Sequence, residues 1–235
     1  MVDISKFVKQ ALAGALAITL SLGMVATANA GEDHQSDRVR NNAPWGISVA
    51  SYNSRKTEAR IRRTGEVYLI RGLANIFSLG MDEIEKKMRA KGLDAVTFNH
   101  SGWKYRADDI IKRSKEKKVS YPIIIAGHSL GANSAVSMAN YLAKNKIKVA
   151  LVVTFDPTIK RVVGKDIKTV INYYVPNGKN EVVRGRGFRG RIKNVDVTDR
   201  KGVGHINVEK NPKLQQDLIN RTMKLTRKTK RRKTS

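Results

Sequence analysis

The stretch Pro122–Tyr141, PIIIAGHSLGANSAVSMANY, decides the fold. Ile123, Ile124, Ile125 and Ala126 form an unbroken apolar run, the pattern of a strand covered on both faces. Ala132, Ala135, Val136, Met138, Ala139 and Leu142 then recur at helical spacing. Between strand and helix lies Gly127-His128-Ser129-Leu130-Gly131. A chain that changes from strand to helix in so few residues turns sharply, and Gly127 and Gly131 leave both flanks of Ser129 free of side chains. Such a turn holds the Ser129 hydroxyl at the carboxyl end of a parallel sheet and at a helix N-terminus, where backbone N–H groups can stabilise an oxyanion. Ser129 is therefore the candidate nucleophile.

Working outward, strand and helix patterns alternate. Glu66 to Gly72 reads as a strand, followed by a helix over about 81–91. Leu93 to Phe98 and a helix over 107–118 precede the central stretch, and Lys148 to Phe155, Val170 to Val175 and Arg191 to Val197 follow it as strands. A helix over about 211–225 closes the series. This alternation predicts an α/β fold, a single three-layer sandwich with a mostly parallel sheet of about six strands and helices on both faces. The strand ending at Phe155 delivers Asp156 to the same sheet edge as Ser129, which makes it the candidate acid. Glu181 follows the next strand, and Asp196 and Asp199 are weaker rivals. His205 is the single histidine downstream of both Ser129 and Asp156, in the loop Gly202-Val203-Gly204-His205, and is the candidate general base. His100, at the end of another strand, is expected to have a structural or substrate-contacting role.

The central stretch resembles the nucleophile elbow of the α/β-hydrolase superfamily, and GHSLG in particular is similar to lipases, esterases and thioesterases. The order Ser129, Asp156, His205 matches the order of that superfamily's triad. The resemblance implies serine hydrolase chemistry, in which an ester or thioester is cleaved through an acyl-enzyme without metal or organic cofactor. It also implies an oxyanion hole built from the backbone N–H groups of Leu130 and Leu73, with Arg71 standing where the superfamily often has histidine. The superfamily more often carries its acid one strand later, while a minority of lipases carry it at the place of Asp156, so Asp156 and Glu181 both remain candidates. Short intervals between the three residues leave no room for an inserted lid domain.

The ends of the chain address location and partners. Met1 to Ala30 has the form of a secretory signal, with Lys6 and Lys9, an uncharged apolar run over 11–25, and a small-residue cleavage site at Ala28-Asn29-Ala30. Residues 31–65 form a polar and basic arm in which Trp45 is expected to pack on the body, 66–225 the catalytic domain, and 226–235 a basic tail expected to lie outside the fold. The chain has no cysteine, so a periplasmic or extracellular location would be reached without disulfides. Removing residues 1–30 takes one unit from the formal charge of +26, because that stretch holds Lys6, Lys9 and Asp3. The remaining charge favours an anionic lipid or polysaccharide surface, with nucleic acid disfavoured by export and sparse aromatics. No further segment of the mature chain is long and apolar enough for a membrane span. A non-catalytic envelope-binding protein on the same scaffold is the alternative reading. Gly185 to Gly190 matches GxGxxG, but a strand pattern follows it in place of a helix, so it reads as a glycine-rich hairpin loop or an anion-binding rim beside the site. No cofactor or metal-ligand spacing stands out.

Overall fold

A computed structural model of the chain describes residues 61–73 and 79–228. The expected signal at 1–30, most of the arm with Trp45, and the tail from 229 onward lie outside the described residues. Six strands form one sheet: β1 (Glu66–Arg71), β2 (Asp94–Asn99), β3 (Ile123–His128), β4 (Val149–Phe155), β6 (Thr169–Tyr174) and β8 (Arg191–Asp196). Their order is β2-β1-β3-β4-β6-β8 and every pairing is parallel. Two short strands, β5 (Arg161–Val163) and β7 (Val182–Arg184), pair with each other in a separate two-stranded sheet that the sequence pattern did not reveal.

Helices α1 (Leu79–Ala90), α2 (Trp103–Lys115), α3 (Leu130–Lys144) and α4 (Pro212–Leu225) complete the sandwich. Alternation along the strands assigns them to layers. Tyr68, Ile70, Ile123 and Ile125 pack with Ala107 and Ile110 of α2 and with Ala135, Ala139 and Leu142 of α3. Val67, Leu69, Ile124 and Ala126 pack instead with Met81, Ile84 and Met88 of α1 and with Leu214 and Leu218 of α4. Period-two side-chain direction thus gives each face of β1 and β3 its own pair of helices, and both strands are wholly buried but for Arg71. The closing helix starts where Asn211 caps it, accepting hydrogen bonds from the N–H groups of Lys213 (3.0 Å) and Leu214 (3.2 Å).

The boundaries of the folded body fall slightly outside 66–225. Thr64 N–H donates to the Arg227 carbonyl (2.8 Å), and the Arg63 guanidinium bonds the Thr226 hydroxyl (2.9 Å) and the Met223 carbonyl (2.8 Å). The last arm residues and the first tail residues therefore clasp each other.

Gly185 to Gly190 is not a hairpin. β7 pairs with β5, whereas β8 pairs with β6, so the loop passes from one sheet to the other. It enters β8 at the amino end, at the sheet edge opposite Ser129, which corrects its expected place beside the site. The glycine at its end has a packing reason: a β-carbon on Gly190 would collide with the carbonyls of Ile167 and Lys168, which lead into β6.

Candidate active site

Ser129 caps α3 directly after β3 and has φ 56° and ψ −122°, a left-handed conformation strained for a residue with a side chain. The surroundings enforce it. Ser129 N–H still bonds the Phe155 carbonyl of β4 (2.9 Å), while its own carbonyl accepts from Ala132 N–H (2.9 Å) in the first helical turn. A β-carbon on Gly127 would overlap the Gly131 carbonyl, and one on Gly131 would overlap the carbonyls of Ile70 and Arg71. Both flanking positions therefore exclude any side chain, the requirement read from the sequence.

Around this turn the chain gathers Asp156 and His205. Ser129 Oγ lies 3.0 Å from His205 Nε2, and His205 Nδ1 lies 2.7 Å from Asp156 Oδ2. Asp156 follows β4 with φ 50° and is buried, and its other oxygen, Oδ1, accepts from Val175 N–H (3.1 Å) and from the Asn180 side-chain amide (2.6 Å). A carboxylate with both oxygens occupied by donors has one orientation, with Oδ2 aimed at the imidazole. Glu181 stands exposed beside Asn180, and its carbonyl accepts from Arg161 N–H in the small sheet. Asp196 folds back on Thr198. Of the acidic candidates, Asp156 is the one against His205.

Leu130 opens α3, where backbone donors have no acceptor within the helix. Leu73 leaves β1 two residues after Arg71 and is 57% exposed; the residues that follow it, 74–78, lie outside the described residues. Arg71 points away to Asp82 in the first turn of α1, with its Nε 2.8 Å from Oδ2. His100 bridges three parts of this edge. Its Nδ1 donates to the Gly72 carbonyl (3.2 Å), and its own carbonyl accepts from the Ser134 hydroxyl of α3 (3.1 Å). Leu73, Leu79, Ile159 and Ile206 are exposed on segments that begin or end at this edge, giving it apolar margins.

Three residues serving the site escaped the sequence reading. Asn180 sits fully buried two residues past Pro176-Asn177-Gly178, and its amide spans Asp156 and the Val175 carbonyl (2.7 Å). A buried asparagine in a turn carries no periodic signal. His128 and Glu209 lie behind His205. His128 could have been singled out by its place inside the elbow, whereas Glu209 looks like any surface glutamate of a polar loop.

A family model for lipase (class 3) matches residues 54–185, more than half of the chain. The chain belongs to the class 3 lipase family. The matched segment of this class 3 lipase includes β1, the elbow and Asp156, and stops before His205. Similar solved structures include a Xanthomonas campestris pv. campestris protein described as a hydrolase of the α/β superfamily, with 12% identity, a TM-score of 0.42, and coverage of 69% of this chain and 99% of that one. Est1E from Butyrivibrio proteoclasticus is 10% identical with a TM-score of 0.43, covering 69% and 88% of the two chains. The NocB thioesterase domain, solved as a covalent complex with a fluorophosphonate nocardicin G analog, is 11% identical with a TM-score of 0.41, covering 68% and 94%. No curated protein matches the sequence. The parallel sheet flanked by helices is an α/β-hydrolase-like architecture, and the lipase family implies ester hydrolysis.

Proposed function

We propose that the protein is an exported serine hydrolase that cleaves carboxylic esters or thioesters through Ser129, His205 and Asp156. The observation that supports this most is the unbroken hydrogen-bonded line from Ser129 Oγ to His205 Nε2 to Asp156 Oδ2, at 3.0 and 2.7 Å. In this mechanism His205 Nε2 takes the hydroxyl proton as Oγ attacks the acyl carbonyl, and Asp156 stabilises the imidazolium that results. The Leu130 N–H, together with that of Leu73, stabilises the oxyanion of the tetrahedral intermediate. Its collapse expels the alcohol or thiol, which receives the proton from His205 and leaves an acyl-Ser129 ester. Water attacks that ester and gives its proton to His205, and the second tetrahedral intermediate releases the acid as His205 returns the proton to Ser129 Oγ. The apolar margins of the site favour an acyl chain over a charged acid portion.

Labelling with a fluorophosphonate probe and intact-mass readout tests the reading. The wild type should gain one adduct, absent from Ser129→Ala and His205→Ala; a folded wild type that gains none would sink it. Export would follow from cleavage after Ala30, read as the N-terminus of protein recovered outside the cytoplasm.

A second property is favoured by a specific observation. A cleft of about 1180 Å³ lies at the amino edge of the sheet, away from Ser129, and includes Lys148, Lys165, Lys168, Arg189, Arg191 and Arg227, with Asp166 as its one acid. All six cations are exposed and none forms an ion pair among the described residues. This supports attachment to an anionic surface with the catalytic edge left free. Among the described residues no helix is long and apolar enough to cross a membrane. Binding to vesicles containing anionic lipid should weaken steeply with added salt and with Lys168→Glu/Arg191→Glu, while soluble-ester hydrolysis stays unchanged.

A further inference from the structure

His205 is carried by a loop with no strand of its own, and its side chain is 41% exposed. Yet the imidazole has to keep two hydrogen bonds in line at once. The side chains of Ser129 and Asp156 hold the ring, but the backbone beneath needs its own anchor, and the loop's internal bonds do not supply one. Asn207 ties Gly202 and Gly204 together (2.9 and 2.7 Å), which shapes the loop without attaching it to the sheet. Gln215 of α4 holds the Glu209 carbonyl (2.9 Å) at the far end of the loop.

The anchor at His205 itself comes from β3. His128, buried at the end of the central strand and next to Ser129 in the chain, places Nε2 2.7 Å from the His205 carbonyl oxygen. A carbonyl only accepts, so His128 Nε2 carries the proton and donates. The two rings lie 5.5 Å apart between centroids. Below them, Glu209 is fully buried, with Oε2 3.5 Å from the same Nε2, and no side chain among the described residues donates to its carboxyl oxygens. It is wedged against α1, where a β-carbon on Gly80 would strike the Glu209 Cγ and backbone. Burial keeps the His128 ring neutral, pushing it down to about 4, so the two residues are not an ion pair at neutral pH.

We propose that His128 is a positioning residue for the general base: it pins the His205 backbone to the central strand. The idea rests on the catalytic reading of His205. One residue of the elbow then carries the nucleophile and its neighbour fixes the base, so that both partners of the first proton transfer are referenced to the same strand end. A displacement of about 1 Å at a reacting group can cost about 100-fold in rate, which is why a backbone anchor matters here.

The test compares His128→Leu, which cannot donate, with His128→Gln, whose amide N–H can reach the same carbonyl. With a small soluble ester, His128→Leu should lower kcat about 10- to 100-fold with KM within about twofold, and slow fluorophosphonate acylation in parallel. His128→Gln should recover most of the loss. If His128→Leu does not fold, His128→Asn, too short to reach, takes its place. A folded His128→Leu or His128→Asn with wild-type acylation, or a His128→Gln as impaired as they are, overturns the proposal. A second readout does not need turnover: the proton shared by His205 Nδ1 and Asp156 should exchange with solvent faster in His128→Leu by proton NMR, and unchanged exchange overturns the anchor. A wild type inert toward every ester yet showing faster exchange in the variant would sink the hydrolase reading and leave the anchor standing.

Discussion

Glu66 and Glu209 are both glutamates withdrawn from water, 4% and 0% exposed, at opposite edges of the same sheet. Their surroundings differ in every other respect. Glu66, where β1 begins, receives both guanidinium nitrogens of Arg113 at 2.8 and 2.9 Å, the Ser120 N–H at 2.9 Å, and the Tyr68 hydroxyl. Burial pushes its carboxyl up, but these donors outweigh that and hold it below the usual carboxylate range. Glu209 has no side-chain donor, and burial outweighs the backbone N–H groups of Glu209 itself and of Gly80, so it is pushed up to about 7. The amino edge thus holds Glu66 in a network of side-chain donors, whereas the carboxyl edge keeps Glu209 without a side-chain donor, close to Ser129 and Asp156. The difference teaches that one sheet can lock a buried acid into its framework at one edge and leave another loosely held beside the chemistry at the other.

Substitutions should separate the two edges cleanly. The largest effect belongs to Ser129→Ala, which should reduce ester hydrolysis by at least about 10⁴-fold with little change in melting temperature. Hydrolysis surviving in that variant would break the comparison at its root. Arg113→Leu should do the reverse. It strands the buried Glu66 carboxylate, and should lower unfolding free energy by about 3 kcal/mol while kcat at a temperature well below melting stays at the wild-type value. Denaturant unfolding and steady-state kinetics on the same preparation check both halves, and a fall in kcat without a fall in stability would contradict the division.

How legible each region was in the sequence follows the same line. The sandwich was readable because burial on two faces leaves continuous apolar runs, as in Ile123 to Ala126, and because amphipathic helices fall between them. Ser129 was readable because the elbow needs glycine on both sides, a steric demand written locally. Asp156 and His205 were readable as candidates from their place at strand ends. The choice between Asp156 and Glu181 was not, since it depends on the Asn180 amide reaching across from another loop. The small β5 and β7 sheet was missed because three-residue strands give too few alternations, and the loop over 185–190 was misread because a glycine cluster before a strand looks the same whether it joins partners or crosses between sheets. Glu209 was silent for a physical reason: its burial comes from Gly80 and His128, far away in the chain.

The smallest effect sharpens the comparison most, because the two glutamates should answer pH with opposite signs. Glu66 is held below its unfolded value of about 4.5, so its contribution is present above that value and is lost as pH falls through the folded value. Glu209 is raised from about 4.5 to about 7, so its contribution is fully present below about 4.5 and is lost as pH rises through about 7. Glu209→Gln keeps the shape and removes the titration. Between pH 5 and pH 8 the wild type should lose on the order of 1 to 3 kcal/mol more stability than Glu209→Gln, measured by denaturant unfolding at each pH. The acid limb should be unaltered in the variant, because Glu66 and His128, the latter losing its contribution as pH falls from about 6.5 through about 4, remain in place. Equal alkaline losses in the two proteins would mean that Glu209 finds a donor when it ionises, and the contrast between the two glutamates would disappear.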